Sequence, residues 1–169
     1  MERGNTDWGR SVAGVVLREG KVLLCRHTYG KGRGLLIIPG GYIERGEQPQ
    51  DAVRRELLEE TGLTVEPERL LGGRFSEKDW YAVFAAAYVS GQAVSDGDEN
   101  DLVVWMDVEE ALCREDVPGL TKTLICRALA GGGLGPLPYD TPAGPVEGNL
   151  YARPLPAMDE KREDKYATE

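Results

Sequence analysis

GYIERGEQPQDAVRRELLEETGL, residues 41–63, is the stretch on which the reading of this chain turns. Pro49 suits the first turn of a helix, where a missing N–H costs nothing, and Gly62 suits its left-handed end. The spacing therefore predicts a helix from about Pro49 to Thr61. On such a helix Glu56, Glu59 and Glu60 stand at i, i+3 and i+4, so the carboxylates share an arc of about 100°. Crowding like charges on one face is unfavourable by a few tenths of a kcal/mol per pair. It becomes favourable when a hard cation sits among them, because Mg²⁺ takes carboxylate and phosphate oxygens together. Val53 and Leu57 lie on the adjoining face and can anchor the helix against a sheet. Arg55 is four residues from Glu59 and can orient it by a charge-assisted hydrogen bond. Glu47 stands just before the helix, within reach of its first turn, and Gly40 and Gly41 allow the backbone to approach a metal closely.

Upstream, Ser11 to Leu17 is valine-rich and uncharged and reads as a strand. Arg18-Glu19-Gly20-Lys21 is a turn with glycine at a position needing positive φ, and Val22 to Arg26 is the returning strand. His27 to Gly34 is a basic, glycine-rich loop, and Leu35 to Ile38 a short strand stopped by Pro39-Gly40-Gly41. Downstream, Leu63 to Val65, Leu70 to Phe75, Trp80 to Val89 and Leu102 to Met106 read as strands, with an acidic loop from Ser95 to Asp101. Short helices are expected at Val108 to Cys113 and at Leu120 to Ala130, the latter with apolar Leu120, Leu124, Ile125 and Leu129. Beyond Gly131 the chain turns rich in Gly, Pro and charge, which predicts a domain over 1–130 and a linker-like tail over 131–169. Irregularly alternating strands and helices make the fold class mixed α/β, in layers.

The bulk numbers agree. The 169 residues, 41% apolar and 29% charged, fit one soluble globular domain with an appended tail. A net charge of −9 disfavours nucleic-acid binding, though a metal or a local basic patch still lets an acidic protein hold phosphate. Cys25, Cys113 and Cys126 are odd in number and lack CxxC spacing, which argues against a disulfide framework or a zinc cage and for thiols in a reducing cytoplasm. Met1 to Arg10 lacks the apolar stretch of a signal peptide. The longest apolar run, Tyr81 to Val89, is too short to cross a bilayer, so a cytoplasmic protein without membrane partners is expected.

Taken alone, a Glu-rich helix reads as a solvated surface. The complete pattern is more specific: Gly41, five residues, Glu47, seven residues, Arg55-Glu56-Leu57, one residue, Glu59-Glu60, one residue, Gly62-Leu63. It resembles the Nudix box at every specified position, and the chance of such a match is on the order of 10⁻⁷ to 10⁻⁸. The resemblance covers the box closely and roughly Ser11 to Ala130 loosely. It implies an α/β/α sandwich with a mixed sheet, in which the box forms a loop-helix-loop. It further implies that Glu56, Glu59 and Glu60, helped by the Gly40 carbonyl, ligate Mg²⁺ or Mn²⁺, with Arg55 positioning the carboxylates and Glu47 supporting the site. The implied activity is hydrolysis of a diphosphate linkage in a nucleoside diphosphate derivative, with one carboxylate accepting the water's proton. Many relatives carry a further Glu in a loop before a late strand, and Glu99, in the acidic loop before Leu102, is the candidate here. Two positions depart from the family's habit. Leu36 replaces a frequent Trp three residues before Pro-Gly-Gly, and Gln48 replaces the Ser or Thr that often opens the helix.

On the substrate side, Arg26, Lys31 and Arg33 can hold phosphate in a backbone nest or be a plain surface loop. Trp80 or Tyr81 can stack a base, strand alternation leaving the other for the core. The lone His27 reads as a loop residue without a catalytic role. Lys78 and Asp79 stand where many ADP-ribose enzymes carry Pro, Tyr81 stands only loosely where dinucleoside polyphosphate enzymes carry Tyr, and the Pro- and Trp-bearing stretch of NADH enzymes is absent. The substrate expectation is therefore an ADP-ribose-like compound or nucleotide sugar, with a house-cleaning nucleoside triphosphatase as the alternative. A non-catalytic nucleotide sensor is the other class, disfavoured because such domains usually lose box carboxylates. Leu137, Tyr139, Leu150, Tyr151 and Leu155 in the tail are expected to pack across a second subunit as a homodimer, with a tail laid over its own domain as the alternative.

Overall fold

The computed structural model describes residues 9–154. A turn with Glu19 and Gly20 both at positive φ (50° and 77°) joins β1 (Gly9–Arg18) to β2 (Lys21–His27). A 3₁₀ turn at Gly30–Gly32 and the short strands β3 (Leu36–Ile37) and β4 (Gly40–Tyr42) lead into helix α1 (Pro49–Thr61). Then follow β5 (Leu63–Phe75), β6 (Asp79–Gly91), β7 (Asn100–Asp107), α2 (Val108–Cys113) and α3 (Gly119–Leu129), and finally a hairpin of β8 (Gly135–Thr141) and β9 (Gly144–Ala152).

The sheet is mixed. Its order is β3-β2-β1-β6-β5, with β4 added to β1 and β7 to β2. β1 and β6 run parallel and the other pairs are antiparallel. Period-2 alternation splits the core in two. Val12, Val16, Leu23, Phe84 and Ala86 face one way and meet Ala52, Val53 and Leu57 of α1. Ala13, Val15, Val22, Leu24, Val83 and Ala85 face the other way and meet Ala111 of α2 and Leu124, Ile125 and Ala128 of α3. This is an α/β/α sandwich. Gly14 lets α1 lie close to β1, since a Cβ there would stand 3.0 Å from Leu57 Cδ2 and 3.3 Å from Val53 Cγ1.

Helix α1 occupies the expected residues. Pro49 opens it, and Gly62 closes it at φ 71° with its N–H bonded to Leu58 O at 3.0 Å. Gln48 at the N-cap makes no side-chain cap bond, in keeping with the missing Ser or Thr.

Three expectations need correction. Leu63–Val65 and Leu70–Phe75 are one strand, β5, paired along β6 with register shifts at Thr64/Val65, Pro67/Arg69 and Leu70/Gly72. The bulges accommodate Pro67, which cannot donate to a ladder, so the proline interrupts the pattern without ending the strand. In α3 the buried stripe is Thr121, Leu124, Ile125 and Ala128, while Leu120 and Leu129 are exposed. The third concerns the tail, where the composition predicts no regular structure. Residues 135–152 form a hairpin that packs on the chain's own body. Leu134 exchanges two 2.9 Å backbone hydrogen bonds with Leu70, Gln50 Nε2 donates to Gly148 O at 2.7 Å, and the Tyr151 ring meets Phe84 edge-on at 5.3 Å. Leu155 lies outside the described residues. Among the described residues no helix is long and apolar enough to cross a membrane, and Cys25, Cys113 and Cys126 are free thiols.

Candidate active site

Because α1 is anchored by Val53 and Leu57, the side chains at 55, 56, 59 and 60 emerge from fixed points beside β4. Arg55 is the hub. Nε and Nη2 grip the two oxygens of Glu47 at 2.9 and 2.8 Å, and Nη2 also donates to Tyr42 O at 2.9 Å. Nη1 donates to Glu56 Oε1 at 2.8 Å and to Glu59 Oε2 at 3.4 Å. A guanidinium has five N–H donors in a fixed fork, and this set of contacts uses that capacity. The strongest bonds go to Glu47 and Glu56, and the expected bond to Glu59 is the longest. Glu47 is held as a carboxylate by Arg55 first and then by the Glu44 N–H, which lower its pKa.

Glu56 and Glu60 are turned inward and Glu59 outward. Gly41 makes room for Glu56: any Cβ at 41 would meet the carboxylate carbon at 2.4 Å. Burial raises the Glu56 pKa against the pull of Arg55. Glu60 is 2% exposed, and its Oε2 accepts the Gly40 N–H at 3.0 Å. Its Oε1 is buried with no hydrogen-bond partner. Burial, then the charges of Glu56, Glu99 and Asp96, push its pKa to about 8 against the Gly40 hydrogen bond. A buried acid with an orphaned oxygen, next to further carboxylates, is costly unless a cation compensates it. The donor set is all oxygen, as Mg²⁺ or Mn²⁺ requires. Among the described residues no three acidic, His or Cys side chains already converge into a finished metal cage; Glu56 and Glu59 are instead drawn onto Arg55. In charge and donor type the residues fit a divalent cation.

The acidic loop approaches this cluster from β7. Asn100, fully buried, donates from Nδ2 to Glu60 O at 2.9 Å and so ties the loop to the last turn of α1. Glu99 is close enough for its charge to act on both Glu56 and Glu60. Its Oε2 accepts the Tyr29 hydroxyl at 3.0 Å.

Next to Gly40 and Gly41 opens a cleft of about 280 Å³ on the α3 side of the sheet. Ser11, Ala13, Ile38 and Tyr81 form its floor, Pro118, Leu120, Thr121 and Leu124 its α3 wall, and Arg74 also lines it. The Arg74 guanidinium pairs with Asp79 at 2.5 Å and lies 5.1 Å over the Tyr81 ring. Burial pushes the Tyr81 phenol up to about 12, so it is neutral. Of the residues expected on the substrate side, Tyr81 lines the cleft while Arg26, Arg33 and Trp80 do not. Arg26 is bound to Asp101 at 2.7 and 3.2 Å. Arg33 ends the 3₁₀ turn, and Trp80 packs edge-on against Phe75 at 5.4 Å. His27 is half-buried at the end of β2, its ring stacked on Tyr29 at 5.5 Å. Tyr29, Arg74, Asn100 and Thr121 carry no motif. The one sequence signal for Asn100 was a polar residue leading into an apolar strand.

An acid-bearing helix held by an arginine hub lies beside a cleft in an α/β/α sandwich, and the chain belongs to the NUDIX family: a NUDIX domain model matches residues 8–125. It is similar to the ADP-ribose pyrophosphatase of Methanocaldococcus jannaschii, 39% identical over 62 residues, 37% of each chain. It is similar to a MutT-like protein of Streptomyces ambofaciens, 35% identical over 59% of this chain and 64% of that one. It also resembles the NAD-capped RNA hydrolase NudC of Photobacterium profundum, 30% identical over 69% of this chain and 44% of that one. The chain thus spans less than two thirds of the length of each of these relatives. Among solved structures, a NUDIX hydrolase from Nitrosomonas europaea superposes with a TM-score of 0.66 at 24% identity, covering 76% of this chain and 93% of that one. A MutT NUDIX hydrolase from Burkholderia pseudomallei gives 0.62 at 21%, covering 70% and 96%. These likenesses bear on the fold.

Proposed function

We propose that this chain hydrolyses the diphosphate linkage of a nucleoside diphosphate derivative with the help of Mg²⁺, or of Mn²⁺ in its place. An ADP-ribose-like compound or a nucleotide sugar is the favoured substrate, and a (deoxy)nucleoside triphosphate is the alternative. The observation that carries the reading is Glu60, buried, short of one partner and pressed against Glu56. In this reading Glu56, Glu59, Glu60 and the Gly40 carbonyl hold the cation, which when bound neutralises diphosphate oxygens and acidifies a water. Arg55 and Glu47 fix the carboxylates, since a bidentate guanidinium sets both distance and plane. Glu99 takes the proton of the attacking water. The cleft seats the nucleoside, with a face of Tyr81 and the apolar α3 wall excluding water from the base and Arg74 as its charged lining residue. The names of the ADP-ribose pyrophosphatase relatives support the favoured substrate class.

The test is phosphate release from a panel of nucleoside diphosphate derivatives and triphosphates with Mg²⁺, comparing wild type with Glu59→Gln and Glu60→Gln. Both variants are expected to lose at least about 100-fold in kcat, the upper end of what even an outer partner of a metal site costs. Equal activity in the variants would refute the site. A sensor is distinguished by binding nucleotide without turnover; the intact carboxylate set favours the enzyme. We also place the protein in the cytoplasm as a homodimer, with Leu137, Tyr139 and Leu150 of the hairpin facing a second copy. A monomer by light scattering would remove that assignment.

A further inference from the structure

We propose that Tyr29 is a positioning residue of the reaction, its hydroxyl holding the Glu99 carboxylate toward Glu56 and Glu60. The inference rests on the reading above, in which Glu99 accepts the water's proton.

The backbone of Glu99 is clamped from two sides. Beyond the register shift between Arg26 and His27, β2 and β7 pair only once more, at His27 and Asn100, yet the chains stay joined. The Thr28 N–H donates to Glu99 O at 3.2 Å, and its hydroxyl reaches Asp98 O at 2.8 Å and Glu99 O at 3.2 Å. On the other side Asn100 is bonded to Glu60 O, its N–H donates to Asp96 Oδ1 at 3.2 Å, and its carbonyl accepts the Ser95 hydroxyl at 2.7 Å. A fixed backbone still leaves the glutamate its side-chain torsions, a freedom that must be restrained for a carboxylate to meet a proton at one place. Tyr29 supplies that restraint at 3.0 Å.

Tyr29 is suited to the task in two respects. Its ring is braced on His27, at 5.5 Å and 28° between planes, so the hydroxyl does not swing freely. It is also a neutral donor. An arginine in its place would hold Glu99 as firmly but draw off the electron density the carboxylate needs as a base. The neighbouring carboxylate Glu47 illustrates that other solution, being committed to Arg55.

The experiment uses the full chain with Mg²⁺ and a nucleoside diphosphate derivative that the wild type hydrolyses. Tyr29→Phe removes one oxygen from a half-exposed ring and is expected to lower kcat roughly ten-fold, the loss for one hydrogen bond to a charged group, with KM and the thermal melt unchanged. In a Glu99→Gln background the same substitution is expected to change kcat less than about two-fold, because the two residues act as one unit. Wild-type kcat in Tyr29→Phe overturns the proposal. So does an equal loss in the Glu99→Gln background, a loss confined to KM, or a Glu99→Gln variant as active as wild type. Each of these leaves hydrolysis by the box carboxylates standing. A wild type that cleaves no phosphoanhydride at all instead removes the functional reading, and this proposal with it.

Discussion

At the scale of single residues, the cost of the acid cluster can be measured at Glu60. Its buried, partly unsatisfied carboxyl makes Glu60→Gln an expected stabilisation of the metal-free protein by about 1 kcal/mol, from relief of desolvation. Urea unfolding in EDTA should show it, together with lost activity and a lost rise in Tm on adding Mg²⁺. A stability drop would mean Glu60 is structural. His27 offers a second pH readout, beside the acidic loop, where Glu99 and Asp96 partly offset the effect of its burial. Burial depresses its pKa below the ordinary 6.5, so between the folded pKa and about 6.5 the unfolded chain binds the extra proton. Its contribution is therefore present above 6.5 and lost as pH falls through that window. Glu60, raised to about 8, slopes the other way, so the histidine is read as a difference: as pH falls below about 6.5, His27→Phe should gain in unfolding free energy relative to wild type; a constant difference would discount the histidine. The acidic residues of the helix were legible because i, i+3 and i+4 spacing fixes a face before any tertiary structure is known. Tyr29, Arg74 and Asn100 were not, since each acts through partners that only the folded sheet brings near. Tyr29 and Glu99 are 70 positions apart in the chain. Arg26 misled for the same reason, its charge being taken up by Asp101 on a strand 75 positions away.

At the scale of elements, helix α1 was readable to its ends because both boundary signals are backbone requirements. Gly62 combines φ 71° with a hypothetical Cβ only 2.9 Å from Gln92 O. Gly62→Ala is expected to destabilise by about 1–2 kcal/mol or more, read from the urea midpoint at unchanged m-value; a neutral effect would mean the helix end relaxes freely. Strand β5 was harder. The stretch around Pro67 looks like an ending, and only pairing with the long β6 carries the strand through it. In α3 periodicity found the helix but misjudged its face, because Leu120 is turned to the cleft and the buried place is taken by Thr121.

At the scale of the whole molecule, the sheet separates two tasks. Its α1 face carries the acid cluster, its α3 face carries the cleft, and β4 with Gly40 and Gly41 is where they meet. The 135–152 hairpin escaped the sequence reading because Gly and Pro dilute its alternation, and its anchors are contacts to Leu70, Phe84 and Gln50. Removing residues 132–169 is expected to lower Tm by several degrees, about 1–3 kcal/mol for exposing Phe84 and losing Tyr151; an unchanged melt would show the hairpin to be incidental. That same attachment bears on how the protein keeps to itself. β5 is the last strand on its side of the sheet, and a bare border strand invites neighbours to add on and grow into aggregates. Three bulges, a proline and the Leu134 bridge leave no long straight run there for a stranger to copy, so the shortened protein should be the one that clouds on standing.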